Sequence, residues 1–243
     1  MKLIRVIIIV LGLALVWQLI IILFTLPPYI LPGPIVVIKT WWQQSGLIFH
    51  QATFTIIEAL LGLLLGTLFG MLSALIMVYF RPARLWFLPI LLISQALPTF
   101  AIAPLLVVWF GYGMASKIVT TIIMLFFPIT NALYDGLNQI NPGWLDLAKT
   151  MNGLKWRILW HIKMPAAMPS LATGVRVATA IAPIGAVVGE WVGASKGLGF
   201  LMLNANARMQ IDLMFAALFT ITIFTIVLYF AVDKLLQSMV FWK

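Results

Sequence analysis

Cysteine is absent from the 243 residues, which removes disulfides and thiolate metal sites from consideration. Acidic residues are scarce as well: 6 Asp and Glu stand against 15 Lys and Arg, and charged residues make up only 9% of the chain. No His or carboxylate cluster has metal-ligand spacing, and the two histidines, His50 and His161, stand alone. No G-x-x-x-x-G-K-[ST] occurs, so the chain cannot cradle nucleotide phosphates in the P-loop manner. Gly193, Gly197 and Gly199 around Lys196 have the wrong spacing for such a site and read as a turn-rich loop. No nucleophile has a base beside it, so a membrane enzyme lacks its catalytic constellation and no metal or cofactor is expected on this chain. Energy for any work must come from a partner or an ion gradient.

What is present is apolar. Hydrophobic residues form 63% of the chain and the mean hydropathy is +1.12, so a bilayer is the solvent for most of it. The expected fold is all-α and polytopic. A net charge of +9 would suggest nucleic acid in a soluble protein. Here the basic residues sit in short loops between apolar runs, which is how membrane topology is encoded, and no nucleic-acid partner is expected.

Residues Val6 to Leu26 are apolar apart from Gln18 and Thr25. Roughly 21 helical residues rise about 30 Å, enough to cross the hydrocarbon core. The run ends in Leu26, Pro27, Pro28 and Tyr29 without a small-residue cleavage site, so it reads as a retained first span with Lys2 and Arg5 at its cytoplasmic end. LPPYILPGP then stops the helix, and Ile35 to Gln44, with Trp41 and Trp42, reads as a short interfacial helix. The second span is expected from about Phe54 to Tyr79. Its Gly62, Gly66 and Gly70, with Ala74 beyond, form a small-residue groove for close helix packing, unless the glycines are merely tolerated in lipid.

The third span, Leu85 to Phe110, carries Pro89, Pro98 and Pro104 and reads either as a helix lining a pathway or as an ordinary kinked helix. Further spans are expected at about Ile118–Leu137, Leu171–Gly189 and Leu213–Leu236, with Glu190 to Asp212 a loop of small and amide residues. Ten basic residues fall inside on this plan: Lys2, Arg5, Arg81, Arg84, Lys149, Lys155, Arg157, Lys163, Lys234 and Lys243. Only Lys39, Lys117, Lys196 and Arg208 fall outside, with Arg176 near the inner end of the fifth span. The bias predicts six transmembrane helices with both termini in the cytoplasm.

One stretch departs from the rest. Residues 141–169, NPGWLDLAKTMNGLKWRILWHIKMPAAMP, are polar, basic and amphipathic. Asn141 is a strong N-cap with Pro142 at the first helical position, so a short helix is expected to about Met151, stopped by Asn152 and Gly153. A second helix is expected from about Lys155 to Lys163, ended by Pro165 and Pro169. The stretch should project from the membrane as an elbow.

The elbow resembles the cytoplasmic signature of the permease subunits of bacterial binding-protein-dependent ABC importers: E-A-A, three residues, G, nine residues, I-x-L-P. Asp146, Leu147 and Ala148 take the first places, Asn152 the glycine place, and Ile162, Met164 and Pro165 the last. Spacing is kept throughout, while Asp146, Leu147, Asn152 and Met164 depart in type. Pro98, Ala101, Pro104, Leu105, Trp109, Phe110, Gly111 and Gly113, with Pro165, Ala166, Ala167, Pro169 and Gly174, look like the subfamily moving nitrate, sulfonates, taurine and pyrimidine precursors of thiamine. GAVVGEWVGASKGLGFLMLNANARMQIDLMFAA looks most like its hydroxymethylpyrimidine-type permeases.

The resemblance implies a single transmembrane domain over residues 1–243, with a first span at about 6–26, a core at about 54–236 and a coupling loop at 141–169. It implies a bacterial inner-membrane location, two ATPase subunits, a second permease copy and a periplasmic or lipid-anchored solute-binding protein. Asp146, Ala148, Asn152, Gly153, Ile162 and Pro165 would then couple to the ATPase. Glu58 and Arg176 lie within apolar spans, where an ionisable group faces a partner or a wet cavity. With Pro98, Pro104 and Glu190, they are candidates for the path or a gate; a structural ion pair and a plain helix-end charge are the competing readings. A secondary transporter or channel would need intramembrane carboxylates for ion coupling, and the sequence offers one clear case, Glu58, with no inverted repeat.

Overall fold

The computed structural model describes residues 2–240, and Lys243 lies outside them. Its elements are all helical: α1 (Lys2–Leu23), α2 (Pro34–Gln43), α3 (Ser45–Tyr79), α4 (Arg81–Ala96), α5 (Thr99–Phe110), α6 (Met114–Asn138), α7 (Pro142–Thr150), α8 (Lys155–Ile158), α9 (Met164–Trp191), α10 (Leu198–Ala207) and α11 (Ile211–Met239). A π-turn, Leu159–Lys163, joins α8 to α9.

α6 is the axis of the bundle, packed along both α3 and α9, which also touch each other. Both contacts are seams of small residues. On α3, a Cβ at Gly62 would collide with Thr121, one at Gly70 would lie 2.8 Å from Ile129 Cγ2, and one at Gly66 would lie 3.2 Å from Leu125 Cβ. Gly185 of α9 meets the same Thr121. Apolar burial gives helices no reason to associate when lipid is as apolar as Leu, so close van der Waals contact along such seams carries the association.

Two apolar clusters fill the bundle. The first runs along α3, α6 and α9 from Ala59 and Ala186 to Met77, Leu159, Met164 and Leu236, which places the end of α3, the start of α9 and the end of α11 together. Ile48, Leu198, Met202 and Leu213 belong to the second, at the opposite end. There α2 is tied to α11 by Thr40 Oγ1 donating to Asp212 (2.8 Å) and Trp41 Nε1 donating to Thr220 Oγ1 (2.9 Å).

By length and composition, four helices are able to cross a membrane: Ser45–Tyr79, Met114–Asn138, Lys155–Trp191 and Ile211–Met239. The pair α4 and α5 makes a fifth if counted as one broken span. Leu11–Leu23, within α1, is a shorter apolar helix.

Three expectations need correction. The third span is not one kinked helix: Leu97 is extended (ψ 121) and α4 meets α5 at 105°. The Pro98 ring disfavours helical geometry at the residue before it, whereas Pro89 and Pro104 are accommodated inside their helices. The elbow's second helix does not end at Pro165. It runs through the π-turn into α9 as one helix, Lys155–Trp191, because the wider turn accepts a proline that has no N–H to donate. Finally, the segment 190–212 is not all loop, since Leu198–Ala207 is helical.

Candidate functional site

Asn141 Oδ1 accepts from the Gly143 amide at 2.9 Å and Pro142 opens α7, as the N-cap pattern requires. Asn152 takes φ +55, the left-handed conformation, and the Gly153 amide returns to Ala148 O at 2.9 Å. A Cβ at Gly153 would lie 2.7 Å from that same carbonyl oxygen, so the position admits only glycine without rearrangement. The turn therefore uses both residues, Asn for its dihedral and Gly for its lack of bulk.

Along the elbow, Ala148 is buried while Trp144, Leu147, Met151 and Leu154 are exposed. Asp146 is exposed and paired with Lys149 at 2.8 Å. Trp144, Leu147, Met151, Ile158 and Ile162 line a largely apolar cleft of about 510 Å³ between α7 and the start of the long helix. Pro165 is exposed on the first turn of α9. So much exposed apolar surface beside fixed charges is what a docking face for another protein requires.

At the opposite end lies a buried charge cluster. Glu190, near the C-terminus of α9, is 1% exposed, and its carboxylate accepts from Thr55 Oγ1 (2.6 Å) of α3 and from the Gly199 amide of α10. Gln51 Oε1 takes the Gly197 amide and Thr55 Oγ1 the Leu198 amide, each at 2.8 Å. Side chains of α3 and α9 thus satisfy amide donors at the start of α10. Glu190 caps α10 rather than its own helix. Gly197 (φ +111) permits the close approach, since a Cβ there would overlap the Glu190 carboxyl.

Glu58 (3% exposed) lies beside Glu190 and Lys117, with its Oε2 buried and without a hydrogen-bond partner. Lys117, expected as an outside loop charge, is instead 2% exposed within α6. Its Nζ donates to the carbonyls of Tyr112 (2.6 Å), Gly113 (3.0 Å) and Gly193 (3.2 Å), binding the ends of α5 and α9 to the start of α6. Arg176 is separate from this cluster and pairs with Asp233 of α11. Pro98 and Pro104 are exposed on the broken α4–α5 pair. Among the described residues no group of His, Asp and Glu is placed to hold a metal ion.

The sequence reading missed Gln51, Thr55 and Lys117. Lys117 alone carried a signal, a cation immediately after the Gly111–Gly113 turn.

Residues 66–240 match the family described as the binding-protein-dependent transport system inner membrane component. The chain belongs to this family. A probable ABC transporter permease protein of Haemophilus influenzae is 50% identical over 239 residues, covering 98% of each chain. A formylaminopyrimidine transport permease protein of Halalkalibacterium halodurans is 35% identical over 217 residues, covering 89% of this chain and 87% of its own. A methionine ABC transporter solved in inward-facing conformations has the same fold (TM-score 0.61, 18% identity, 82% of this chain and 97% of that chain). The permease is thus a polytopic membrane component of a binding-protein-dependent ABC importer, a transport subunit whose family works with an ATPase and a solute-binding protein.

Proposed function

We propose that this permease forms half of a translocation path in a bacterial inner membrane, paired with a second copy and driven by two ATPases docked on the elbows. The observation that carries the reading is the elbow's geometry: signature spacing from Asp146 to Pro165, a sharp turn at Asn152-Gly153, and exposed Trp144, Leu147 and Met151 on one face. In this reading Asp146, Ala148, Asn152, Gly153, Ile162 and Pro165 shape the ATPase contact. The chain acts as one transmembrane unit over residues 1–243, with six spans, both termini cytoplasmic, α1 as the first span and the bent α4–α5 pair as the third. It needs no cofactor of its own, because ATP is hydrolysed on the partner.

The same reading assigns Glu58 and Glu190 to an outer gate. They link α3, α9 and α10, so movement of α9 strains the cap on α10. Arg176 with Asp233 ties α9 to α11, and Pro98 and Pro104 hold the broken helix pair beside the path. The solute is a pyrimidine precursor of thiamine, supported by the formylaminopyrimidine relative; sulfonate, taurine or nitrate is the alternative within the family.

Two measurements test this. Co-purification of the detergent-solubilised permease with its partner ATPase should succeed, and Asp146→Lys should reduce recovery of the ATPase about tenfold while leaving membrane insertion unchanged, as expected for a lost charged contact of about 1.4 kcal/mol. Wild-type permease that never retains the ATPase would overturn the coupling assignment. Native mass spectrometry of the cognate binding protein should reveal a bound aminopyrimidine, and a bound sulfonate would replace that assignment.

A further inference from the structure

Two clefts meet where the elbow folds back on α3. One, of about 560 Å³, is lined by Tyr79, Lys149, Asn152, Lys155 and Lys163. The other, of about 980 Å³, is lined by Arg84, Leu85, Leu88, Tyr134, Asn138 and Lys163. Val78 and Lys163 line both, so they are neighbouring compartments of one region. Neither cleft has a carboxylate in its lining. Lys149 is held by Asp146, but Arg84, Lys155 and Lys163 have no carboxylate within ion-pair distance among the described residues. Arg84 lies over the Tyr134 ring at 5.6 Å. Cations gathered without a counter-charge repel one another, so such a cluster favours an anion between them.

The surroundings indicate which anion. Tyr79 stands edge-on to Trp156 (6.5 Å) and Trp156 to Trp160 (5.3 Å), and Tyr79, Phe80, Leu85, Trp86 and Trp156 are exposed. Exposed Tyr and Trp at the end of a spanning helix form the belt that sits at headgroup depth. Basic pockets between helices at that depth suit lipid headgroups. We propose that the clefts between α3, α4 and the elbow bind the phosphate of an anionic phospholipid between Lys155, Lys163 and Arg84, with the acyl chains along Leu85 and Trp86. The headgroup would hold the elbow at a fixed angle to the end of α3. This rests on the proposed elbow reading only for its consequence, since lipid binding is measurable without transport.

Native mass spectrometry of the permease with its partner ATPase, titrated in parallel with phosphatidylglycerol, phosphatidylcholine and inorganic phosphate, tests it. Phosphatidylglycerol should be retained in preference to phosphatidylcholine, and inorganic phosphate should not compete at millimolar concentration. Lys155→Ala with Lys163→Ala should weaken phosphatidylglycerol binding about 30-fold, from roughly 1 kcal/mol per interfacial cation. Lys155→Arg with Lys163→Arg, which keeps the charge, should preserve it and controls for folding. Equal retention of the two lipids, unchanged binding in the alanine pair, or competition by free phosphate would each overturn the proposal. So would an alanine pair that loses the ATPase but keeps its phosphatidylglycerol, because the cations would then belong to the protein interface. Wild-type protein that retains phosphatidylglycerol but no ATPase would defeat the coupling reading alone.

Discussion

Glu190 joins three elements, since its carboxylate on α9 receives a hydroxyl from α3 and an amide from α10. Replacing it with Gln keeps the shape but turns an amide donor toward donors that need an acceptor. An unsatisfied buried donor costs about 1–3 kcal/mol. Glu190→Gln should therefore lower the thermal midpoint in detergent and speed amide exchange across Leu198–Ala207 before other helices; exchange there as slow as in wild type would remove Glu190 as the cap. The glycine seam gives a graded series. Gly62→Ala collides with Thr121 and should destabilise by about 1–3 kcal/mol. Gly66→Ala should cost less, because Leu125 gives way more easily. Gly46→Ala, with nothing within 4 Å, should be neutral or stabilising by up to about 1 kcal/mol. Thermal unfolding of the three variants checks the order, and a Gly62 variant as stable as the Gly46 variant would mean α3 and α6 pack differently. The glycine spacing was readable from sequence, whereas the Glu190 partners were not: Thr55 lies 135 residues away, and only folding makes the two neighbours.

Helices were legible where local chemistry decides their ends and illegible where packing does. The start of α7 followed from Asn141 and Pro142, and its stop from Asn152. Because Asn152 sits at φ +55, Asn152→Gly should be tolerated, while Asn152→Val should strain the turn by about 1–3 kcal/mol and reduce ATPase recovery. ATPase pull-down across the two variants checks this, and equal recovery would show that the turn is not needed for docking. The end of the second elbow helix was misread because Pro165 counts as a stop only if the previous turn needs its N–H, and the π-turn removes that need. α10 left a clearer trace: Leu198, Leu201, Met202 and Ala205 are buried at helical spacing, a stripe hidden in the sequence by the surrounding glycines and amides.

For the molecule as a whole, the polytopic helical class follows from composition alone, while the arrangement of spans depends on how α1 and the α4–α5 pair sit in the bilayer. The charge pattern agrees with the fold, because the basic elbow, the start of α4 and the end of α11 share one end. A reporter fused after Lys243 should therefore read as cytoplasmic, and so should one inserted at Met151. Reporters on opposite sides would contradict the six-span plan. Lys117 shows the limit of counting charges: the count places it among the outside charges, yet it satisfies three carbonyls inside the bundle.

The continuity of Lys155–Trp191 has a mechanical consequence. A 37-residue helix is about 55 Å long, so a tilt of only about 1° at the elbow moves its far end by roughly 1 Å. Hydrogen bonds near 2.6 Å, like that of Thr55 to Glu190, do not survive many such steps. A small angular change at the elbow is thus read out at the Glu190 end, where the tight α6 seam at Gly185 and Gly189 and the cap on α10 lie together.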